Sequence, residues 1–349
     1  MRVVITGATG NVGTSLLEAL AGESDVHEVV GIVRRQPQRT YPRTTFITAD
    51  VVDADLVSIV RGADAVVHLA WLIQPGRDES VTYGVNVLGS ERVFRATAEA
   101  GVPALIYASS VGAYSKGPKD RFVDESWPTE GTPSSFYARH KAATERALDR
   151  LEREQPSLRI VRMRPGLIFK REAATEIRRL FAGPFLPRAL LRASLIPFVP
   201  DVPRLRFQAV HSLDVGDAYR RAILSDARGA FNIAADPPIG PPELAQLLNA
   251  RQVPVPTGAV RSAAAATFAL RLQPTEPGWV DMGLSVPMMD TTRARRELGW
   301  EPKHSSLEAL SELIEGMRSA SDLDTPPLAS GTSGPLRVRE LLTRVGGRV

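Results

Sequence analysis

The chain has 349 residues, of which 43% are apolar and 23% are charged, and its formal net charge is +4. This length favours two domains, or one large domain with a smaller lobe. The 43 basic and 39 acidic side chains form no block of like charge, so neither a nucleic-acid nor a membrane partner is expected. The absence of cysteine excludes disulfides, thiolate nucleophiles and cysteine-based zinc sites.

Two further features narrow the class of protein. The five histidines are scattered, with no pair at the helical spacing of metal ligands, so no metal site is expected. The chain enters a structured pattern at Arg2 without a leader-like segment, and no apolar run reaches membrane-spanning length. A cytoplasmic location is therefore expected.

The first half of the chain alternates short apolar runs with longer segments of helical periodicity. Strands are predicted at Arg2–Thr6, Val29–Val33, Thr45–Thr48, Ala65–Leu69, Ala104–Ala108 and Leu158–Met163. Helices are predicted at Asn11–Ala21, Asp53–Val60, Val85–Ala100 and Ser135–Glu154. This alternation predicts right-handed βαβ crossovers, and therefore an α/β fold with a Rossmann-type, doubly wound parallel sheet.

The pattern changes after Pro165, where prolines interrupt residues 181–206 and make long regular elements there unlikely. Shorter elements are predicted beyond this stretch: strands Gln208–His211 and Ala230–Ala234, and helices Asp214–Leu224, Pro242–Leu248 and Thr292–Leu298. We expect a dinucleotide-binding core over residues 1–165, with strands returning from the later chain, and a smaller mixed substrate lobe over 166–318. Residues 319–349 are rich in Ser, Pro, Gly and Asp at their start and are expected to form a mobile tail, with the pattern of a short helix at 336–345.

The junction between the first strand and the first helix carries three glycines, Gly7, Gly10 and Gly13. The first permits a tight turn, the second lets the backbone approach a pyrophosphate, and the third allows close packing of helix on strand. The helix N-terminus adds free N–H groups and partial positive charge. We interpret the loop as a dinucleotide site, to which Thr9, Asn11 and Val12 also belong, rather than a plain glycine-rich turn.

The second strand ends at Arg34 and Arg35. An acidic residue at this place usually binds the ribose 2′-hydroxyl of NAD, whereas an arginine accommodates the 2′-phosphate of NADP. The two guanidiniums therefore favour NADP, with NAD and a solvated surface pair as the alternatives.

Tyr137 and Lys141 lie four residues apart on a predicted helix, which places both on one face. Carbonyl and alcohol groups interconvert when an acid or base acts at the oxygen while hydride moves at the carbon. A free tyrosine titrates near pH ~10, so a neighbouring ammonium and a cationic nicotinamide are expected to lower its pKa. Ser110 follows the Ala104–Ala108 strand, at the sheet edge where doubly wound folds bind ligands, and is expected to orient the substrate oxygen.

These motifs together resemble the extended short-chain dehydrogenases/reductases of the NAD-dependent epimerase/dehydratase family. The matching positions run from the first residue to about residue 314: Gly7, Gly10, Gly13, Asp50, His68, Leu69, Ala70, Asn86, Ser110, Tyr137, Lys141, Arg164, Pro165, Gly166, His211, Asp214, Asp290, Leu298 and Pro302. The resemblance implies a Tyr137, Lys141, Ser110 and Asn86 catalytic set. Asn86 would fix the active-site helix through a backbone or water bond and support a proton relay.

The resemblance also extends the cofactor site beyond the glycine loop. Asp50 and Val51 would hold the adenine, Ala70 would line the path of the nicotinamide ribose, and Pro165 would lie beside the nicotinamide. Leu69, Trp71, Ala108, Tyr137 and Lys141 complete the implied cofactor contacts, although Trp71 equally suits a substrate pocket or loop packing. Family members often form homodimers through the helices that correspond to 85–100 and 135–154, and a homodimer is expected here.

Three departures from the family pattern narrow the reaction. Val111 and Gly112 stand where the sugar-nucleotide 4,6-dehydratases carry an Asp-Glu pair, so that elimination is not expected. An Asn after the strand leading to Pro165, and an Arg just before Asp290, are typical of nucleotide-sugar epimerases. Neither is present, which favours a less polar substrate.

The sequence therefore predicts an NAD(P)-dependent oxidoreductase that interconverts a small-molecule carbonyl and alcohol. An epimerase that oxidises and re-reduces one carbon is the first alternative. A non-catalytic dinucleotide sensor or scaffold is the second. A hydrolase built on the small-x-Ser-x-Gly pattern around Ser110 is a distant third, because no oxyanion glycines or partnered histidine accompany it.

Overall fold

A computed structural model describes residues 1–74, 77–181, 196–319 and 321–328. Its central feature is a seven-stranded sheet in the order β11-β7-β5-β4-β1-β2-β3, in which every pairing is parallel. The order reverses at β1, as in doubly wound folds whose ligands bind at the carboxyl ends of the strands. The strands are β1 Arg2–Thr6, β2 Glu28–Val33, β3 Thr44–Thr48, β4 Ala65–His68, β5 Ala104–Ala108, β7 Arg159–Pro165 and β11 Gly229–Ile233.

Helices cover both faces of this sheet. On one face lie α1 Asn11–Ala21, α7 Ser212–Leu224 and α11 Thr292–Leu298, which share a buried apolar core with the strands. The other face packs against α2 Leu56–Val60, α4 Ser90–Glu99 and α5 Phe136–Glu154. Strand β11 and helices α7 and α11 come from the later chain, so the sheet is completed by residues beyond the first 165.

The remaining elements form smaller layers beside the sheet. Three two-stranded parallel pairs join β8 Leu167–Phe169 to β10 Ala209–His211, β9 Phe198–Asp201 to β12 Arg251–Pro254, and β6 Phe122–Val123 to β13 Met288–Met289. The other helices are α3 Glu79–Tyr83, α6 Ala174–Phe181, α8 Pro241–Leu248, α9 Thr257–Ala269, α10 Gly278–Ser285 and α12 Ser306–Ser319. A third apolar core lies where α12 packs on α6, β8 and β10.

Most predicted elements are present, and their differences have physical causes. The helix expected from Asp53 begins at Leu56, because Asp55 is the residue that caps it, accepting a hydrogen bond from the Ser58 N–H at 3.2 Å. The helix expected over 85–100 begins at Glu79 and contains a π-helical turn, Gly84–Gly89, a wide turn often found at functional sites. The helix expected at 336–345 lies outside the described residues. Among those that are described, no helix is long and apolar enough to cross a membrane.

Candidate active site

The glycine loop between β1 and α1 is packed so tightly at Gly7 and Gly13 that neither position has room for a side chain. Gly7 has a φ of +72°, and its N–H donates to the Ile32 carbonyl at 3.1 Å. A Cβ on Gly7 would lie 2.8 Å from the Ala70 nitrogen, and one on Gly13 would lie 2.4 Å from the Gly7 oxygen. Two of the three glycines are thus required by the fold itself.

Gly10 differs from the other two glycines of the loop. A Cβ there would meet nothing closer than the Gly7 oxygen at 3.5 Å, so internal packing does not require a glycine. Gly10 is also the N-cap of α1 and supplies no side chain to the first N–H groups of that helix. Thr9, Asn11 and Val12 surround this turn. A cradle that is open at Gly10 and faces uncapped N–H groups fits the pyrophosphate of a dinucleotide.

The ends of β2 and β3 carry the residues expected to distinguish the cofactors. Arg34 and Arg35 are both exposed, and neither makes a hydrogen bond or ion pair in the part of the chain that the structure describes. Partial burial, and the neighbouring charges of Arg34 and Arg179, lower the pKa of Arg35. At the end of β3, the Asp50 carboxylate accepts the Val52 N–H at 3.0 Å, and Val51 is buried.

The structure brings Ser110 and Tyr137 together. Tyr137 lies in the first turn of α5, where the Ser135 hydroxyl caps the helix by accepting the Ala138 N–H. Ser110 precedes a 3₁₀ turn, Val111–Ala113, and its Oγ accepts the Gly112 N–H at 3.0 Å. Burial raises the pKa of Tyr137 to about 12, while a hydrogen bond with the Ser110 side chain acts in the opposite direction. The phenol is therefore in its protonated form at neutral pH.

Lys141 lies one turn further along α5 and is fully buried. Its ammonium donates to the Ala108 carbonyl at 2.6 Å and lies 3.4 Å from the centroid of the Trp71 ring. Its distance to the centroid of the Tyr137 ring is 5.8 Å. Burial holds the pKa of Lys141 well below its usual range. Burial disfavours the charged forms of both Lys141 and Tyr137, and the lowering of the Tyr137 pKa by Lys141 together with a bound nicotinamide stays a prediction.

Aromatic side chains enclose Tyr137 on two sides. The Trp71 ring lies at its edge, with ring centroids 5.8 Å apart, and the Trp279 ring of α10 lies tilted over it at 4.9 Å. Phe181 packs edge-on against Trp279, also at 4.9 Å. Met282 of α10 joins the same apolar cluster. The rings of Trp71, Trp279 and Phe181 form an apolar surface beside the phenol, which we call the aromatic wall. Met282 lies next to it.

Comparisons with known proteins agree with this geometry. Residues 3–234 match the model of the NAD dependent epimerase/dehydratase family. The chain belongs to that family.

Individual relatives cover most of this chain. An uncharacterized protein of Mycobacterium tuberculosis strain H37Rv is 28% identical over 91% of the chain, which spans only 30% of that relative's length. The UDP-glucose 4-epimerase of Mycolicibacterium smegmatis is 28% identical over 92% of the chain and 100% of the enzyme. The solved structure of a Thermus thermophilus UDP-glucose 4-epimerase complex with NAD is 21% identical, covers 92% and 100% of the two chains, and superposes with a TM-score of 0.67. This last likeness supports the fold.

Other residues expected in the cofactor site of this family member line the same sheet edge. The Leu69 N–H donates to the Thr6 carbonyl at 3.1 Å, and the Ala70 N–H donates to the Thr6 hydroxyl at 3.2 Å. Ala108 presents its carbonyl to Lys141, and Pro165 is buried at the end of β7. Their contacts with a nicotinamide cofactor stay predictions.

Asn86 lies in the π-helical turn and is fully buried. Its amide oxygen accepts the Leu72 N–H at 2.7 Å, and its amide nitrogen donates to the Leu72 carbonyl at 2.8 Å. The predicted bond to the active-site helix is therefore replaced by a pair of bonds to the loop after β4. This loop carries Trp71, so Asn86 fixes one side of the aromatic wall. Its part in a proton relay stays a prediction.

The sequence analysis missed Glu145, which lies one turn beyond Lys141 and is completely buried. Its carboxylate accepts hydrogen bonds from Ser109 at 2.5 Å, Arg162 at 2.9 Å and Arg164 at 2.9 Å. These cations lower the pKa of Glu145 to about 2 against the effect of burial. The spacing of Tyr137, Lys141 and Glu145, each four residues apart, was the signal that one helix face carries all three.

The same contacts fix the places of Arg162 and Arg164. They are two residues apart on β7, so both side chains leave the same face of the strand. Both meet Glu145, and Arg164 also donates to the Tyr114 hydroxyl at 3.1 Å.

The two histidines nearest the site are held by packing and hydrogen bonds. His68 is buried between the hydroxyls of Thr6 at 2.6 Å and Ser90 at 2.8 Å, and burial lowers its pKa to about 3. His140 points away from Lys141, toward Glu79 at 3.3 Å, and packs against Tyr83 and Phe136. No group of three or more possible metal ligands occurs among the residues that the structure describes.

Proposed function

We propose that this enzyme transfers hydride between bound NADP(H) and the carbonyl or alcohol carbon of a small molecule, with Tyr137 as the proton donor or acceptor. The observation that carries the proposal is the pairing of Tyr137 with Ser110, one helical turn from Lys141 and at the same sheet edge as the glycine loop. Nicotinamide dinucleotide, when bound, supplies or accepts the hydride. Every other part of the reaction falls to side chains of this chain.

The protonated phenol of Tyr137 favours the reductive direction. A group whose pKa is raised to about 12 holds its proton at neutral pH and can donate it to a substrate oxygen. Ser110 holds that oxygen against the phenol. In the oxidative direction Tyr137 must first lose its proton, so oxidation of the alcohol is expected to rise with pH while reduction does not.

Arg34 and Arg35 support NADP as the cofactor, with NAD as the alternative. Both guanidiniums are exposed at the end of β2 and are uncommitted among the described residues, where a 2′-phosphate would lie. Several solved structures to which this chain is similar are complexes with NAD instead. Titration of the purified protein with NADP⁺ and NAD⁺ separately decides the matter. Arg34→Gln should weaken NADP⁺ binding about tenfold and leave NAD⁺ binding unchanged. Arg296→Gln makes an equal charge change at an exposed residue of α11 and should alter the binding of neither cofactor.

The catalytic role of Tyr137 is tested by Tyr137→Phe, which removes one oxygen and keeps the ring. Turnover over a panel of ketones, aldehydes and alcohols should fall by about 10²- to 10⁴-fold, while cofactor affinity stays within twofold. Equal turnover in the variant contradicts the mechanism. Cofactor binding without turnover by the wild type supports the sensor alternative, and ester hydrolysis without cofactor supports the hydrolase.

Epimerisation is the second candidate, because a UDP-glucose 4-epimerase aligns with 92% of this chain over its own entire length. It would use Tyr137 twice, first to accept the proton of the substrate hydroxyl and then to return a proton to that oxygen, while hydride would leave and return at the attached carbon. Cofactor that co-purifies and resists exchange favours the epimerase. Exchangeable cofactor consumed in stoichiometric amount favours the net reductase.

We also propose that the substrate is a small carbonyl compound or alcohol with an apolar face, since Trp279 and Met282 lie beside the phenol. A homodimer is proposed through the helices around 85–100 and 135–154. Leu88, 51% exposed, and Tyr83, 43% exposed, form an apolar surface there. Leu88→Glu should convert a dimer to a monomer in light scattering, and a monomeric wild type contradicts the proposal.

A further inference from the structure

A buried lysine lies against the first turns of α1, directly after the glycine loop. Lys170 follows β8 and is 4% exposed. Its ammonium donates to the Asn11 carbonyl at 3.0 Å, the Thr14 hydroxyl at 2.6 Å and the Ser15 hydroxyl at 3.1 Å. All three acceptors lie in the first turns of α1. The three N–H donors of the ammonium are thus used on the helix that presents its N-terminus to the phosphates.

Further hydrogen bonds link the residues around this ammonium to one another. Ser212 donates to the same Asn11 carbonyl at 3.0 Å and lies 2.8 Å from the Ser15 hydroxyl. The Asn11 side chain donates to the Ile168 carbonyl at 3.2 Å. Through these contacts Lys170 joins β8 to the turn of α1 that carries the predicted pyrophosphate site.

The ammonium of Lys170 bonds to neutral oxygens, and no ion pair among the described residues includes it. Burial disfavours its charge, whereas the carboxylates of Glu18, Glu172 and Glu176 favour it from beyond bonding distance. The N-terminal end of a helix carries partial positive charge, which disfavours a cation beside it. An anion bound at that end would relieve both the burial of the ammonium and its repulsion by the helix.

We propose that Lys170 is a positioning residue for the dinucleotide phosphates, raising affinity for them through the first turn of α1. The inference rests on the dinucleotide binding proposed above. The pyrophosphate binds to the α1 N–H groups, and Lys170 holds that turn and adds positive potential from behind. No bond forms or breaks at Lys170, and it touches no reacting atom.

A second buried lysine offers a matched control. Lys119 is 8% exposed and donates to the Arg206 carbonyl at 2.7 Å and the Gly283 carbonyl at 2.9 Å. It has the same chemistry and nearly the same burial, but none of these acceptors belongs to α1. Lys119→Met therefore measures how ligand binding changes when a buried ammonium that does not contact α1 is lost.

The first measurement is the affinity for ADP-ribose and for adenosine at pH 7. Lys170→Met should weaken ADP-ribose binding about tenfold, equivalent to about 1.4 kcal/mol, and leave adenosine binding within twofold. Lys170→Arg should restore most of the ADP-ribose affinity, and Lys119→Met should change neither ligand. Equal weakening of both ligands by Lys170→Met, or no weakening, overturns the proposal.

The second measurement is the pH profile of ADP-ribose affinity. Burial lowers the pKa of Lys170 to about 8, and bound phosphate favours the charged form. Affinity should therefore be constant below pH 8 and fall as pH rises beyond it, and Lys170→Met should lose this fall. Glu18 and Arg39 from the α1 side, and Glu172 and Glu176 from the α6 side, also face the ammonium. Since burial raises the pKa of Glu176 to about 7, the profile is measured in a Glu176→Gln background.

These measurements separate two failures. A wild type that binds no ADP-ribose overturns the proposed dinucleotide site itself. A Glu176→Gln protein that binds ADP-ribose with no fall in affinity from pH 7 to 9.5 overturns the role of Lys170 alone, and decides the question even where Lys170→Met does not fold.

Discussion

The two sides of Tyr137 are held in place by different forces. On the core side, Gly7 and Gly13 fit against backbone atoms with no room for a methyl group, and Glu145 binds two buried guanidiniums. Such contacts tolerate little displacement. The core side is therefore a rigid platform for the cofactor and for the helix that carries the catalytic pair.

On the lobe side, helix α10 covers Tyr137 through ring faces. Trp279 lies over the phenol, and the segment before α10 is attached by the Glu276 carboxylate, which accepts the Phe136 N–H at 3.0 Å. Aromatic contacts are worth about 0.5–1.5 kcal/mol each beyond the area they bury. The lobe side should therefore be easier to alter, and its variants should change the environment of the phenol more than the stability of the fold.

Glu145→Gln should produce the largest effect, because it leaves Arg164 buried beside a neutral amide and removes from Arg162 its buried carboxylate partner. Removing one partner of a buried ion pair costs about 3–5 kcal/mol, measurable by denaturant unfolding at pH 7. Glu152→Gln is the control. Its carboxylate also pairs with Arg162 at 2.6 Å but is 38% exposed, so a change below about 1 kcal/mol is expected.

The same variant has a defined pH dependence. The pKa of Glu145 in the folded protein is lowered to about 2, so its contribution to stability is complete above the unfolded pKa, near 4.5. The contribution is lost as pH falls from there toward 2. Glu145→Gln should flatten this part of the stability profile. An unchanged profile would mean that the buried network does not govern stability in acid.

Gly13→Ala is expected to have the next largest effect. Its Cβ would lie within 2.4–2.6 Å of Gly7 and Ala8 backbone atoms, and overpacking of this kind costs about 1–3 kcal/mol. Gly10→Ala is the matched variant, since its Cβ has ordinary contacts. It should unfold like the wild type but lose dinucleotide affinity, because the methyl group faces the expected phosphates. If both variants bind and unfold alike, Gly10 is not at a phosphate site.

The core side is also the part that the sequence predicted well. The glycine spacing, the strand ends and the Tyr137–Lys141 spacing are local patterns, and the seven strands and most helices followed from them. Helix α9 was missed because its alanine-rich sequence has no apolar stripe and no buried residue, so periodicity could not find it. Glu145 was missed because a buried carboxylate is predictable only together with Arg162 and Arg164, which lie on a different element.

The contacts of the lobe side could not be predicted either, because they join elements that are distant in the sequence. Trp279 meets Tyr137 across more than 140 residues of chain, and nothing in the local sequence of either indicates the other. The environment of the phenol was not predictable either. Lys141 and a bound nicotinamide are expected to lower the pKa of Tyr137, whereas burial raises it, and burial depends on elements that are distant in the sequence.

Trp279→Leu should have the smallest effect on stability, about 1 kcal/mol, and the clearest effect on Tyr137. Removing the indole admits water to the phenol, and because burial is the main cause of its raised pKa, that pKa should fall from about 12 toward its ordinary value. The phenolate absorbance of Trp279→Leu minus that of Trp279→Leu/Tyr137→Phe isolates this one titration. Trp127→Leu, which alters an indole packed against Tyr114 instead, should leave the Tyr137 titration unchanged. If the pKa of Tyr137 stays near 12 in Trp279→Leu, the desolvation of the phenol comes from the core side. Helix α10 would then not control the phenol, and the contrast between the two sides of the site would be wrong.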